Sequence, residues 1–132
     1  METIFTKIIK GEIPCYKIAE DENCLAFLDI SPIAKGHTLV VPKIQADYIF
    51  DLDDDILSAL FCFAKKVAKA IKTNVNCTRI GMAVIGLDVP HAHVHLVPIS
   101  GSSDLDFTKE RLNFSPEEFA TLANIFNRTF KL

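Results

Sequence analysis

The sequence predicts an α+β domain: an antiparallel sheet of about five strands with one long helix, a short N-terminal helix and a C-terminal helix. Three observations predict it. Short runs of branched and aromatic residues recur between turn residues, the pattern of strands. Two longer stretches carry apolar residues at helical spacing behind a capping signal. Three of the chain's four histidines alternate in His91-Ala92-His93-Val94-His95, a period of two that belongs to a strand.

Taken in order, Ile4, Phe5, Ile8 and Ile9 sit at helical spacing before Gly11, predicting a short amphipathic helix stopped at Gly-Glu-Ile-Pro14. Strands follow at residues 16–19 and 24–28, joined through the polar tetrad Glu20-Asp21-Glu22-Asn23, which reads as a hairpin turn. Ser31-Pro32 breaks the chain, Lys35-Gly36 returns it to a strand at 37–41, and Pro42 closes that strand. The longest helix runs from Asp53 to about Lys72 behind a wide apolar stripe. Asp53, Asp54 and Asp55 gather at its start and four lysines towards its end, so the acidic run complements the helix dipole and needs no bound cation. Residues 79–84 predict a fourth strand and the histidine stretch from His91 a fifth. Gly101-Ser102-Ser103-Asp104 is a connector. Ser115-Pro116-Glu117-Glu118 then opens the last helix, with Ser115 as N-cap, Pro116 at N1 and Glu118 closing a capping box.

Composition bounds the function classes. At 132 residues the chain makes one domain. A net charge of −3 excludes a broad basic surface for nucleic acid, yet allows one phosphate to be bound locally. The first residues mix charge with apolar side chains, so neither a signal peptide nor a membrane anchor is expected. Four cysteines without pattern suit a reducing compartment, so a cytoplasmic protein is expected.

The histidine row carries the chemistry. Alternation puts His91, His93 and His95 on one face while Ala92, Val94 and Leu96 point to the core. Imidazole is nucleophile, acid, base and metal ligand near neutral pH. Scattered histidines are usually satisfied surface or core residues, but strict alternation among small and branched residues is not scatter. Zinc competes with catalysis here. Nothing completes a zinc set nearby, because Cys15, Cys24, Cys62 and Cys77 form no C-x-x-C pair.

His91 to Val97 reads His-Φ-His-Φ-His-Φ-Φ, where Φ is apolar. With Thr3-Ile4-Phe5, Glu12-Ile13-Pro14, Cys24-Leu25-Ala26-Phe27, Asp29-Ile30-Ser31-Pro32 and the run from His37 to Lys43, it resembles the histidine triad (HIT) superfamily, most closely its Hint-like branch. The resemblance covers residues 2–98, making about 2–100 the core of a HIT-like fold and 101–132 a variable extension bearing a helix.

What the resemblance implies is a hydrolase of purine nucleoside 5′-monophosphates carrying a phosphorus-linked leaving group, of phosphoramidate or dinucleoside polyphosphate type. His93 would attack the α-phosphorus and form a covalent nucleotidyl-histidine, which water then splits. A backbone carbonyl within the triad would orient His93, making His91 an orienting residue. His95 and His37 would donate hydrogen bonds to the phosphate. Asp29 would accept the ribose hydroxyls, and Phe5, Ile8, Ile13, Phe27 and Ile30 would sandwich the base. A homodimer is also implied, built on the long helix and a central strand.

Two departures stand out. Leu87 and Asp88 replace a polar Gln-Ser/Thr pair that touches the phosphate in the family, and Ile85 falls near a usual asparagine. Leu87 cannot donate a hydrogen bond and an ionised Asp88 repels phosphate, which leaves open a nucleotide-binding module with weak or vestigial hydrolase activity. Some relatives build a zinc site from residues matching Thr3, Thr6 and Gln45. Neither threonine nor glutamine suits zinc, so no structural zinc and no cofactor are expected.

Overall fold

The computed structural model describes residues 2–131, so the two end residues of the expected 1–132 domain lie outside it. Helix α1 (Ile4–Ile9) is followed by strands β1 (Lys17–Glu20), β2 (Cys24–Leu28) and β3 (Thr38–Pro42), the long helix α2 (Asp54–Asn74), strands β4 (Arg79–Ala83) and β5 (Val94–Ile99), and helix α3 (Pro116–Phe130). Short 3₁₀ turns, which the sequence reading lacked, lie at Ile49–Asp51 and Ser102–Asp104. The five strands form one antiparallel sheet in the order β1-β2-β3-β5-β4. The fold is α+β, as the sequence predicts.

Local chemistry explains the elements. In the β1–β2 turn the Asp21 carboxylate accepts from the Asn23 and Cys24 amides, each at 2.8 Å, so one side chain closes the hairpin. Asp53 caps α2 by accepting from the Ile56 amide. Ser115 and Glu118 close their reciprocal capping box around Pro116 at the start of α3. Helix α1 is capped by a Thr3–Thr6 pair.

Both faces of the sheet are covered, which is why β2 and β3 are buried at every position. Ala26, Leu28, Val40, Val94 and Leu96 face α2 and α3, meeting Leu60, Phe63, Val67 and Ile71 of α2 and Phe119, Ala123 and Phe126 of α3. The opposite face presents Leu25, Phe27, Leu39 and Val41 to Phe5, Ile8 and Ile9 of α1. Helix α3 is thus part of the main core. Its Asn127 also donates to the Ile18 carbonyl at 2.6 Å, tying the C-terminal helix to an edge strand.

The fifth strand starts later than the histidine pattern suggests, at Val94 rather than His91. The His91 amide donates to the Val89 carbonyl and the Ala92 amide to the Ala46 carbonyl, so neither can join the ladder with β3. Gly36, just before His37, holds φ +96°, and a Cβ there would lie 3.3 Å from Pro98 and 3.4 Å from Phe126. Only glycine turns the chain into β3 this close to α3.

Candidate active site

The sheet order builds the site. Strands β3 and β5 are neighbours, with Leu39 opposite His95, so the residue before β3, His37, reaches the histidine row across 58 positions of sequence.

Hydrogen-bond direction assigns a role to each ring nitrogen. The His93 Nδ1 lies 2.8 Å from the His91 carbonyl oxygen. A carbonyl only accepts, so Nδ1 carries the proton and Nε2 of the neutral ring is the lone pair left for chemistry. A second chain starts at a main-chain donor. The Ile33 amide donates to His37 Nδ1 at 3.1 Å, which puts the His37 proton on Nε2. That Nε2 lies 3.0 Å from His95 Nδ1 and donates to it, so the His95 proton is on Nε2, on the side of the ring left for a ligand. A single loop amide therefore sets the tautomers of two histidines. His91 Nε2 donates to the Pro42 carbonyl at 2.9 Å, while its buried Nδ1 has no hydrogen-bond partner among the described residues.

Burial favours the uncharged forms of His37, His91 and His95. Desolvation, reinforced by the neighbouring His95 and the Arg111 guanidinium, pushes His37 down to about 3. Desolvation, reinforced by the neighbouring His93 and the Arg111 guanidinium, pushes His95 down to about 4. Burial lowers His91 too, partly offset by its bond to Pro42. Asp29 moves the other way, its carboxyl raised by desolvation despite the Ser31 amide and Arg111.

These shifts predict acid sensitivity of the fold. Unfolded histidine takes up its proton near 6.5, whereas His37 and His95 resist until about 3 and about 4. Across that window the unfolded chain binds more protons, so stability falls with falling pH by up to about 1.4 kcal/mol per unit per histidine. Asp29 opposes this only near its own raised pKa. The urea midpoint at pH 5 is expected below that at pH 7.5, and equal midpoints would contradict the assignment.

One carboxylate joins the second chain, Asp29 Oδ2 lying 3.5 Å from His37 Nε2. Asp29, His37 and His95 bring ligand atoms within 4.8 Å of one another, a spacing that could hold a metal. The hydrogen bonds argue against that use. Ligation by His37 Nε2 would move its proton to Nδ1, against the Ile33 N–H donor, and leave two donors facing each other.

Beside this row lies a cavity of about 570 Å³. His93 and His95 line it, and so do all eight residues matched to substrate binding: Phe5, Ile8, Ile13, Phe27, Asp29, Ile30, Leu87 and Asp88. His91 and His37 do not line it. His91 lies under the row, fully buried, and His37 sits behind His95, 1% exposed. His37 thus meets His95, not the open space where a phosphate would sit. The lining also includes Phe107 and Arg111, from a stretch to which the sequence reading gave no site role. Phe107 packs 4.7 Å from the His95 ring, and Arg111 Nη1 donates to the Ser31 carbonyl at 2.7 Å. Their only signal was an aromatic and a cation within the polar stretch after Gly101.

A HIT-domain family model matches residues 10–101. The chain belongs to the HIT family. This HIT chain is 43% identical over 99 residues to the adenosine 5′-monophosphoramidase hnt1 of Schizosaccharomyces pombe, spanning 74% of each. Among solved structures, it resembles the Hit-like protein from Bartonella henselae with a TM-score of 0.84 at 28% identity, covering 97% of this chain and 96% of that one. It also resembles a zinc-bound histidine triad family protein from Mycobacterium smegmatis, with a TM-score of 0.83 at 26% identity, covering 99% and 94%. Zinc does not fit the residues at Thr3, Thr6 and Gln45. The two threonines cap α1, and the Thr6 hydroxyl donates to the Gln45 side-chain oxygen at 3.4 Å, so these oxygens serve one another.

Proposed function

We propose that this single HIT domain hydrolyses purine nucleoside 5′-monophosphates carrying a phosphorus-linked leaving group, by way of a nucleotidyl-His93. One observation carries the reading: His93 is locked by the His91 carbonyl with its Nε2 free, in the wall of a cavity that Phe5, Phe27, Ile8 and Ile30 make apolar. The His93 Nε2 lone pair forms a bond to the α-phosphorus while the bond to the leaving group breaks, its electron pair going with that group. Water then attacks the same phosphorus, releasing the nucleotide and restoring the imidazole. The His95 Nε2–H stabilises charge on the phosphoryl oxygens, and His37 keeps that proton in place from behind. Asp29 would accept ribose hydroxyls, since its Oδ1 is anchored by the Ser31 amide.

The name of the Schizosaccharomyces pombe relative supports phosphoramidate chemistry. Incubation with adenosine 5′-phosphoramidate and with diadenosine polyphosphates, following release of AMP, tests it; no turnover of either would remove the hydrolase. A second reading, a binding module with vestigial activity, is favoured by Leu87, which is 86% exposed at the cavity mouth and offers the phosphate no donor. Calorimetry showing tight AMP binding without turnover would select it. Among the described residues no helix is long and apolar enough to cross a membrane, and the four cysteines are free, consistent with a reducing cytoplasmic setting.

We also propose a homodimer. Strand β4 is a sheet edge, and beside it Tyr48, Phe50, Phe61, Val84 and Ile85 are exposed, Phe50 by 71%. A second copy meeting this edge would cover the patch and continue the sheet. Light scattering is expected to give twice 14.7 kDa, and Phe50→Glu with Phe61→Glu to halve it. A monomeric parent protein would overturn the dimer.

A further inference from the structure

The charges lining the cavity are few. Asp29 and Asp88 are carboxylates, and Arg111 is the one cation among the described lining residues. His95 adds a hydrogen-bond donor without charge, because burial keeps it neutral. Any nucleotide entering brings negative charge towards a wall already carrying two carboxylates. Arg111 is the one formal positive charge among the described lining residues to answer it.

The guanidinium is built for that task. It is held by neutral acceptors, Nη1 by the Ser31 carbonyl at 2.7 Å and Nη2 by the Phe107 carbonyl at 3.4 Å. The next residue fastens the same segment, its Leu112 amide donating to the Pro32 carbonyl at 2.8 Å. None of the ion pairs among the described residues neutralises Arg111. Two of its five N–H groups are thus spent on positioning, leaving three donors at the cavity wall, on a cation whose field Asp29 also feels. Phe107, four residues earlier, packs on His95, and both Phe107 and Arg111 line the cavity with His93 and His95. Leu87, which lines the same cavity, supplies no donor for a departing group.

We propose that Arg111 binds an anionic leaving group, so that the enzyme prefers nucleotides whose α-phosphorus is linked to further phosphates over phosphoramidates that release a neutral amine. This rests on the nucleotide-hydrolase reading of the cavity. As His93 Nε2 bonds to the α-phosphorus, the bond from that phosphorus to the bridging oxygen breaks. The bridging oxygen keeps the electron pair and the phosphate chain leaves with added negative charge, which Arg111 stabilises.

The test compares Arg111→Gln and Arg111→Lys with the parent protein on diadenosine tetraphosphate and adenosine 5′-phosphoramidate. The ratio of kcat/KM for the tetraphosphate to that for the phosphoramidate is expected to fall by about 10- to 100-fold in Arg111→Gln and by less in Arg111→Lys, which keeps the charge but not the fork. Calorimetry adds a readout free of turnover: the parent protein is expected to bind ADP more tightly than AMP, and Arg111→Gln to erase that difference. An unchanged ratio, or an ADP preference that survives the substitution, overturns the proposal. Equal losses on both substrates would mark Arg111 as a structural strut and overturn it too. If neither AMP nor ADP binds, the nucleotide reading itself has failed, and tripolyphosphate then decides on the cation alone. Binding lost in Arg111→Gln keeps the anion site, and no binding removes it.

Discussion

With His93 as the proposed nucleophile, replacing it by alanine is expected to abolish the proposed nucleotidyl transfer, lowering kcat by about 10³-fold or more, while AMP affinity changes by less than about tenfold. The size follows from the geometry. His93 Nδ1 is tied to the His91 carbonyl at 2.8 Å, so its ring is held with Nε2 as the only lone pair offered to the phosphorus. The other histidines cannot substitute for it: His37 is turned away behind His95, and His95 Nδ1 is occupied by the His37 proton, leaving its Nε2 protonated. Affinity should persist because Phe5, Ile8, Phe27 and Ile30 supply apolar contact that does not involve this imidazole, although Phe5 also packs 4.9 Å from its ring. Rapid quenching of the parent protein with radiolabelled substrate should trap a phosphorus–nitrogen adduct that the variant lacks. Turnover surviving the substitution would sink the nucleophile assignment.

Truncating Phe126 to alanine is expected to cost about 3–5 kcal/mol. Phe126 is fully buried where α3 meets the sheet, in the core that also holds Leu60, Val67 and Leu96. A single domain is typically stable by about 5–15 kcal/mol, so the variant should lose a large part of its margin. The damage should also reach the site, because Phe126 Cζ lies 3.4 Å from where a Cβ on Gly36 would be, one residue before His37. Urea unfolding gives the stability change, and a loss below about 1 kcal/mol would contradict the placement of α3 in the core.

Much of this architecture is legible in the chain. Capping chemistry marked the starts of α2 and α3 at Asp53 and Ser115 because those signals are local, and periodicity located all five strands to within a few residues. Alternation correctly sent Ala92, Val94 and Leu96 to the helix-covered face. It overran the start of β5, because where an amide donates is a tertiary matter: Val89 and Ala46 claimed the amides of His91 and Ala92. The position of His37 behind His95 was likewise hidden, since it depends on β3 lying next to β5 and on one amide of the Ile33 loop. Phe107 and Arg111 were invisible for a further reason. They come from a segment without periodicity, brought to the cavity by carbonyls of Ser31 and Pro32 that no pattern in residues 101–115 could reveal.

The cavity takes one wall from the first ten residues, through Phe5 and Ile8, and another from beyond residue 105, through Phe107 and Arg111. A growing polypeptide therefore carries its histidine row before it owns a complete pocket. Strands β3 and β5 can pair as soon as both have been synthesised, but the stretch that brings the cation and the ring against His95 is made later, and α3, which shares the main core, later still. A chain ended before residue 105 would therefore hold His93 without the wall that Phe107 and Arg111 supply.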